Sequence, residues 1–335
     1  MTSAFIWQPD DHPWTRDSHV ARFIREHGLR TLAELRSAST RDFDWFWDAA
    51  LRDMGVEWER PYVQVRDGSR GFPWTRWFID GRINVTHNCV DRHVRDGHGS
   101  ETALYFEADS GSAGDSRQVT FTQLADLVNR CAAALRAAGI KRGDSVGLYA
   151  PMQIPTVVLL LATMKIGAVI VPIFCGYGEE ALRERLASCE AKILFACGTL
   201  MRRGKPADTG GIARAAAAKM PSIGRIVWTD TDDWNGFLTS HHGGRVSSPA
   251  KHGDDPAEAS ARDEGTAPPQ FDPCEPTNAE DPCLIMYTSG TTGRPKGTVH
   301  THAGCLAQMG KEIRYSFDAR PGEPFFWVTD IGWMM

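Results

Sequence analysis

The chain has 335 residues, of which 42% are hydrophobic and 24% charged, with a formal net charge of -5. These values suit a soluble chain able to build a sizeable core; they exclude a polybasic surface for nucleic acid and the composition of a disordered polymer. Its eight cysteines include no CxxC pair, so neither a disulfide framework nor a zinc ribbon is indicated, and a reducing, cytoplasmic setting is expected.

The first residues carry no basic n-region followed by a long apolar run, which excludes a secretory signal there. Residues 1–97 are rich in aromatics and charges, including Trp45, Trp47, Trp58, Trp74 and Trp77, and predict an irregular arm of short helices. His87, Cys89 and His93 match no zinc spacing and lack a fourth ligand, so packing roles are expected of them and no metal site is assigned.

From residue 98 to 335 the pattern predicts one domain. A short hairpin is expected from strands at 103–106 and 118–121, followed by a helix capped by Thr122 and stopped by Gly139. Strands near 145–150, 168–174, 192–196 and 225–228 alternate with helices ending near 165, 189 and 219. This alternation predicts an α/β fold with βαβ units and a largely parallel sheet. The apolar run 154–174 has the length of a membrane span, yet Lys165, Gly167, Pro155 and Pro172 interrupt it. It reads as a helix and a strand of a buried core, not as a membrane span.

Residues 239–280 contain almost no large apolar side chain before Phe271 and are expected to form a solvated, disordered insertion. The chain then returns with an apolar strand, Cys283 to Tyr287, and the run Thr288-Ser289-Gly290-Thr291-Thr292-Gly293-Arg294-Pro295-Lys296-Gly297. A second strand at 298–300, a helix capped by Thr301 and a strand at 325–328 follow. Glycines let backbone N–H groups converge on an anion, hydroxyls add neutral donors, and Lys296 adds a charge; this is equipment for holding phosphate. A Walker A loop is disfavoured, because Lys296 stands between Pro295 and Gly297 instead of in Gly-Lys-Ser/Thr at a helix start. The plainer reading is a surface hairpin with turn-forming residues.

That ten-residue run resembles the phosphate-binding signature of the adenylate-forming superfamily, which includes acyl-CoA synthetases, luciferases and peptide-synthetase adenylation domains. Thr329-Asp330-Ile331-Gly332-Trp333-Met334 resembles the acyl-pocket segment of the acetyl-CoA-synthetase branch, and Trp77-Phe78 with residues 84–93 resembles that branch's N-terminal extension. The resemblance implies activation of a small carboxylic acid by ATP and Mg²⁺ through an acyl-AMP, then transfer to CoA. It places Thr288, Ser289, Gly290, Thr291, Thr292, Gly293 and Lys296 at the ATP phosphates, and Trp333 and Met334 in the acyl pocket. Arg202 and Lys205 resemble contacts to the CoA nucleotide phosphates, although a solvated basic turn accounts for them equally. Trp333 and Met334 have ordinary core packing as their alternative role.

By the same resemblance the adenine-stacking segment, the acidic Mg²⁺ ligand, the ribose-binding aspartate and a C-terminal domain lie beyond Met335. No catalytic residue is therefore assigned, and the chain by itself is expected to be inactive. A non-catalytic nucleotide- or CoA-binding remnant and a ligase that feeds a carrier-protein thiol are the competing classes.

Overall fold

A computed structural model describes residues 13–107, 116–202, 205–240, 272–288 and 295–333. It divides into two compact units: Thr86–Glu275 with Pro282–His300 and Thr329–Met335, and Met1–Val85 with Pro276–Asp281 and Thr301–Val328. The N-terminal unit thus joins residues up to Val85 with two later segments of the chain.

The larger unit is built on a six-stranded sheet of β1 (Ser145–Tyr149), β2 (Val169–Pro172), β3 (Ile193–Ala196), β4 (Ile226–Trp228), β5 (Pro282–Thr288) and β6 (Lys296–Thr301), in the order β4-β3-β1-β2-β5-β6. The pairs β4–β3, β3–β1, β1–β2 and β2–β5 are parallel, with Leu148 opposite Pro172 and Tyr149 opposite Ala196. Every residue of β1, β2 and β3 is buried. This is why they read as continuous apolar runs instead of alternating ones.

Among the described residues, the helices α1 (Phe121–Ala137), α2 (Ile154–Lys165), α3 (Glu179–Ser188), α4 (Thr209–Ala218) and α5 (Asp232–Thr239) follow or alternate with the sheet's strands. Alternation along the strands decides which face each helix covers. Tyr149, Val171, Leu194, Ala196 and Tyr287 share a core with Leu182 and Leu186 of α3 and Ala213 and Ala216 of α4. The ring of Phe195, facing the other way, packs edge-on against Phe237 of α5 at 5.1 Å, and α5 and α2 pack on α1. Burying side chains of this size stabilises by about 1.5–3 kcal/mol each.

Helix α1 is capped by Thr120, not by the expected Thr122. The Thr120 hydroxyl accepts from the Gln123 N–H at 3.2 Å, and the Gln123 side chain accepts from the Thr120 N–H at 2.9 Å. This reciprocal box satisfies two orphan donors and so outcompetes the nearer hydroxyl. Gly139, at φ +86°, ends the helix as expected. The 154–174 run is indeed a buried helix and strand, and among the described residues no helix is long and apolar enough to cross a membrane.

In the smaller unit, helices His19–Glu26, Leu32–Arg41 and Phe43–Asp53 precede an antiparallel ribbon of Gln64–Asp67 and Arg76–Ile79. Leu51, Val65, Phe78 and Ile83 bury themselves with Ala279 and with Ala303 and Ala307 of the helix His302–Lys311. Thr301 caps that helix by accepting from the Gly304 N–H at 3.1 Å, as its sequence suggests. Asp53 holds Arg22, Arg314 and Tyr315 at 2.5, 2.8 and 2.7 Å.

Two expectations are corrected. Residues 325–328, read as a strand, have no strand partner among the described residues. Phe325 and Trp327 stack edge-on to Phe317, each at 5.2 Å, while Phe326 and Val328 are 83% and 81% exposed. Aromatic and β-branched residues favour a strand only where a neighbouring strand accepts them. The 239–280 segment also has structured flanks: Thr239 closes α5, and Thr277 and Ala279 are buried, with the Ala279 N–H donating to the Gly81 carbonyl at 2.9 Å. Residues 241–271 lie outside the described residues.

Candidate functional site

Because β1 to β5 run parallel, their carboxyl ends (Tyr149, Pro172, Ala196, Trp228 and Thr288) share one edge of the sheet. Open parallel sheets place ligands outside that edge, where helix-bound connections diverge. The described sequence-predicted site residues attach there. Thr288 is the last residue of β5, and Lys296, exposed, is the first of β6. Gly297 lies close against β5: a methyl group on it would come within 3.3 Å of the Tyr287 ring and 3.1 Å of the Ile285 side chain. Thus Lys296 begins beside the point where Thr288 leaves the sheet. Ser289, Gly290, Thr291, Thr292 and Gly293 lie outside the described residues.

The second cluster forms where β2 ends. The ring of Trp333, half-exposed, meets Phe174 at 5.4 Å and Tyr177 at 6.5 Å, and Phe174 and Tyr177 pack at right angles at 5.6 Å. Gly332 makes this approach possible. Asp330 accepts from the Gly332 N–H at 2.7 Å and shapes the turn. Burial holds the Asp330 carboxyl above its ordinary range, and burial together with this carboxylate pushes the neighbouring Cys175 thiol up. The Tyr149 hydroxyl braces the same connection, 3.1 Å from the Cys175 carbonyl and 2.7 Å from that of Tyr177, and burial raises its phenol to about 12. Met334 lies outside the described residues.

Where Gly332 passes Phe174, a methyl group would lie 2.3 Å from the Phe174 amide nitrogen and 2.5 Å from the Ile173 carbonyl carbon. Neither backbone atom can swing aside. Gly332→Ala is therefore expected to push Trp333 off Phe174 and to lower stability by about 1–3 kcal/mol, measured by urea denaturation.

Lys205 stands exposed on the hairpin Leu200–Arg202/Lys205–Ala207, directly opposite Arg202 in the backbone pairing; the Arg202 side chain lies outside the described residues. The hairpin leaves β3 through Gly198 and Thr199, whose N–H groups donate to Asp230 at 2.9 and 3.3 Å. A cleft of about 1810 Å³ opens elsewhere in this unit, among residues including Arg117, Gln123, Gln153 and Asn235, and no sequence-predicted site residue lines it.

His93, set aside as a ligand, rests its ring on Phe121 at 4.7 Å, and burial lowers its pKa. Two buried charged groups in this unit have no counterpart among the sequence-predicted site residues. Lys165 is fully buried, its Nζ 2.6 Å from Asp91 Oδ2. Arg185 is 5% exposed and stacks on Tyr177. Neither lies in a motif; the one available signal was a cation inside an otherwise apolar helical pattern.

Comparison with known proteins adds to this geometry. Residues 90–335 match the family model described as AMP-binding enzyme, and residues 32–89 match that described as acetyl-coenzyme A synthetase N-terminus. An acetyl-coenzyme A synthetase of Mycobacterium tuberculosis is 35% identical over 315 residues, covering 90% of this chain and 44% of that protein. One from Paraburkholderia phymatum is 33% identical over 329 residues, covering 95% and 45%. The solved structure of the acetoacetyl-CoA synthetase from Streptomyces lividans superposes with a TM-score of 0.80 at 25% identity, over 98% of this chain and 48% of that one. The chain thus spans about half the length of the relatives it matches.

Proposed function

We propose, starting from the fact that this chain belongs to the AMP-binding enzyme family, that it forms part of an AMP-forming acyl-CoA synthetase for a small carboxylic acid. In that chemistry a carboxylate oxygen attacks the α-phosphorus of ATP, pyrophosphate leaves, and the thiol of CoA then displaces AMP from the acyl-AMP. The first step needs in-line placement of carboxylate and triphosphate and neutralisation of charge more than covalent help. ATP arrives as its Mg²⁺ complex, and CoA is the second substrate. A cytoplasmic setting suits its eight free thiols.

Each residue has a part in this reading. Thr288 through Lys296 hold the β- and γ-phosphates: hydroxyls and backbone N–H groups donate, and Lys296 supplies the point charge. Trp333 and Met334 wall the acyl pocket, and Arg202 and Lys205 meet the CoA nucleotide phosphates. The observation that carries the proposal is the glycine- and hydroxyl-rich connection between β5 and β6, starting at the carboxyl edge of a parallel sheet. A polypeptide of residues 1–335 and nothing more is expected not to turn over, since the groups meeting adenine and ribose lie elsewhere by family resemblance. Losing fixed groups forfeits part of the ~7–11 kcal/mol that orientation supplies.

The test is ATP–pyrophosphate exchange with a panel of short carboxylic acids, in a protein carrying this chain at the full length of its relatives. Acid-dependent exchange is expected; binding without exchange would favour the non-catalytic remnant. In the same protein Met334→Gly should shift preference toward longer acids. Each added methylene contributes about 0.8 kcal/mol, several-fold per carbon. An unchanged chain-length profile would remove Met334 from the pocket.

A further inference from the structure

Arg185 is unusual among the charged residues of the larger unit. It lies on α3, is 5% exposed, and has no carboxylate within ion-pair distance among the described residues. Its Nη1 donates to the Ala181 carbonyl at 2.8 Å, one turn back, and its Nε has no hydrogen-bond partner. A buried, unpaired cation is costly, and here aromatic faces offset that cost. The guanidinium carbon lies 4.2 Å from the centroid of Tyr177 and 6.0 Å from that of Tyr287.

Those two rings belong to different parts of the candidate site. Tyr177 packs on Trp333 and Phe174. Tyr287 is the residue before Thr288, and its ring fills the space over Gly297 on the neighbouring strand, so both strands flanking the 288–297 connection are fixed against it. A continuous stack therefore runs from Trp333 through Tyr177, Arg185 and Tyr287 to Gly297.

We propose that Arg185 is a positioning residue that ties the acyl-pocket wall to the base of the phosphate loop, so that the carboxylate and the triphosphate are held in a common frame. The functional half of this statement rests on the reading under Proposed function; the mechanical half does not. Methionine has similar length and no charge, so Arg185→Met removes the cation while keeping most of the volume. Lys in its place retains a cation able to face a tyrosine ring.

Amide hydrogen exchange on the 335-residue chain tests the mechanical half without ligand. Arg185→Met should speed exchange in both 283–288 and 329–333, and Arg185→Lys should restore much of the protection. The melting temperature of Arg185→Met should stay near that of the wild type or rise, because a buried unpaired charge has gone. Faster exchange in only one segment, or in neither, would overturn the coupling, as would equal behaviour of the Met and Lys variants.

Binding of MgATP, read by titration calorimetry on the same variants in a protein carrying this chain at the full length of its relatives, tests the functional half. Arg185→Met should weaken it by about three- to thirtyfold, with rescue by Lys. Unchanged affinity, with exchange accelerated, would refute positioning of the phosphate loop. Failure of the wild type itself to bind MgATP would instead remove the phosphate reading and leave the mechanical link standing.

Discussion

Asp91→Ala is expected to destabilise the larger unit by about 3–5 kcal/mol, the largest effect of any single substitution considered for its fold. Lys165 has no exposed surface, and its Nζ sits 2.6 Å from Asp91 Oδ2, the oxygen that also receives the Cys274 thiol at 3.1 Å. Alanine would leave a buried ammonium short of its carboxylate and the Cys274 thiol without that acceptor. Water cannot readily reach Lys165 to compensate, because α2 packs it among buried residues such as Thr163, Met164 and Ile166. Removing both charges is a different matter: the double variant Asp91→Leu, Lys165→Met should recover most of the loss, since apolar replacement of a buried pair is often neutral or better. Urea denaturation of the wild type, the single and the double variant measures the coupling directly. A single variant within about 0.5 kcal/mol of wild type would show that the pair is solvated in solution.

Lys296→Ala should weaken MgATP binding by about 1.5–3 kcal/mol, roughly ten- to 150-fold, through loss of one charge-assisted contact. The placement of Lys296 supports a specific loss. It opens β6 and is exposed. Its neighbour Gly297 lies against Tyr287 across the strand pair. Its side chain thus departs from a fixed point beside Thr288 while carrying little of the fold. The melting temperature should accordingly change little, and a large drop would mean that the affinity loss reports unfolding. Isothermal titration of variant and wild type, with denaturation run alongside, separates the two.

The sheet was legible in the sequence to a degree that physical chemistry explains. Strands buried on both faces must be apolar throughout, so Val169, Ile170 and Val171, or Ile193, Leu194 and Phe195, announce themselves without any periodicity. Helix starts were less legible, because Thr120 and Thr122 both carry hydroxyls. Only the return contact from Gln123 decides between them. The strand expected at 325–328 failed for another reason: composition records a preference, whereas a strand also needs a partner, which no local pattern contains. α5 and the 200–207 hairpin escaped notice, being short and polar. At the candidate site, the 288–297 connection stands out in the sequence because its glycines, hydroxyls and lysine are contiguous. Arg185 does not, since a charged residue on a helix reads as solvent-facing until Tyr177 and Tyr287 are brought around it. The Asp91–Lys165 pair, 74 residues apart, could be found only in three dimensions.

Competition among nucleotides decides whether the 288–296 connection holds the β- and γ-phosphates of ATP, as proposed. ATP, pyrophosphate and AMP are titrated, each with Mg²⁺, into wild type and Lys296→Ala. Pyrophosphate should compete with ATP in the wild type. The substitution should weaken ATP and pyrophosphate by similar factors and leave whatever affinity AMP has unchanged, because AMP lacks the two phosphates proposed to meet the loop. Equal losses for all three ligands, or no loss for any, would contradict that assignment.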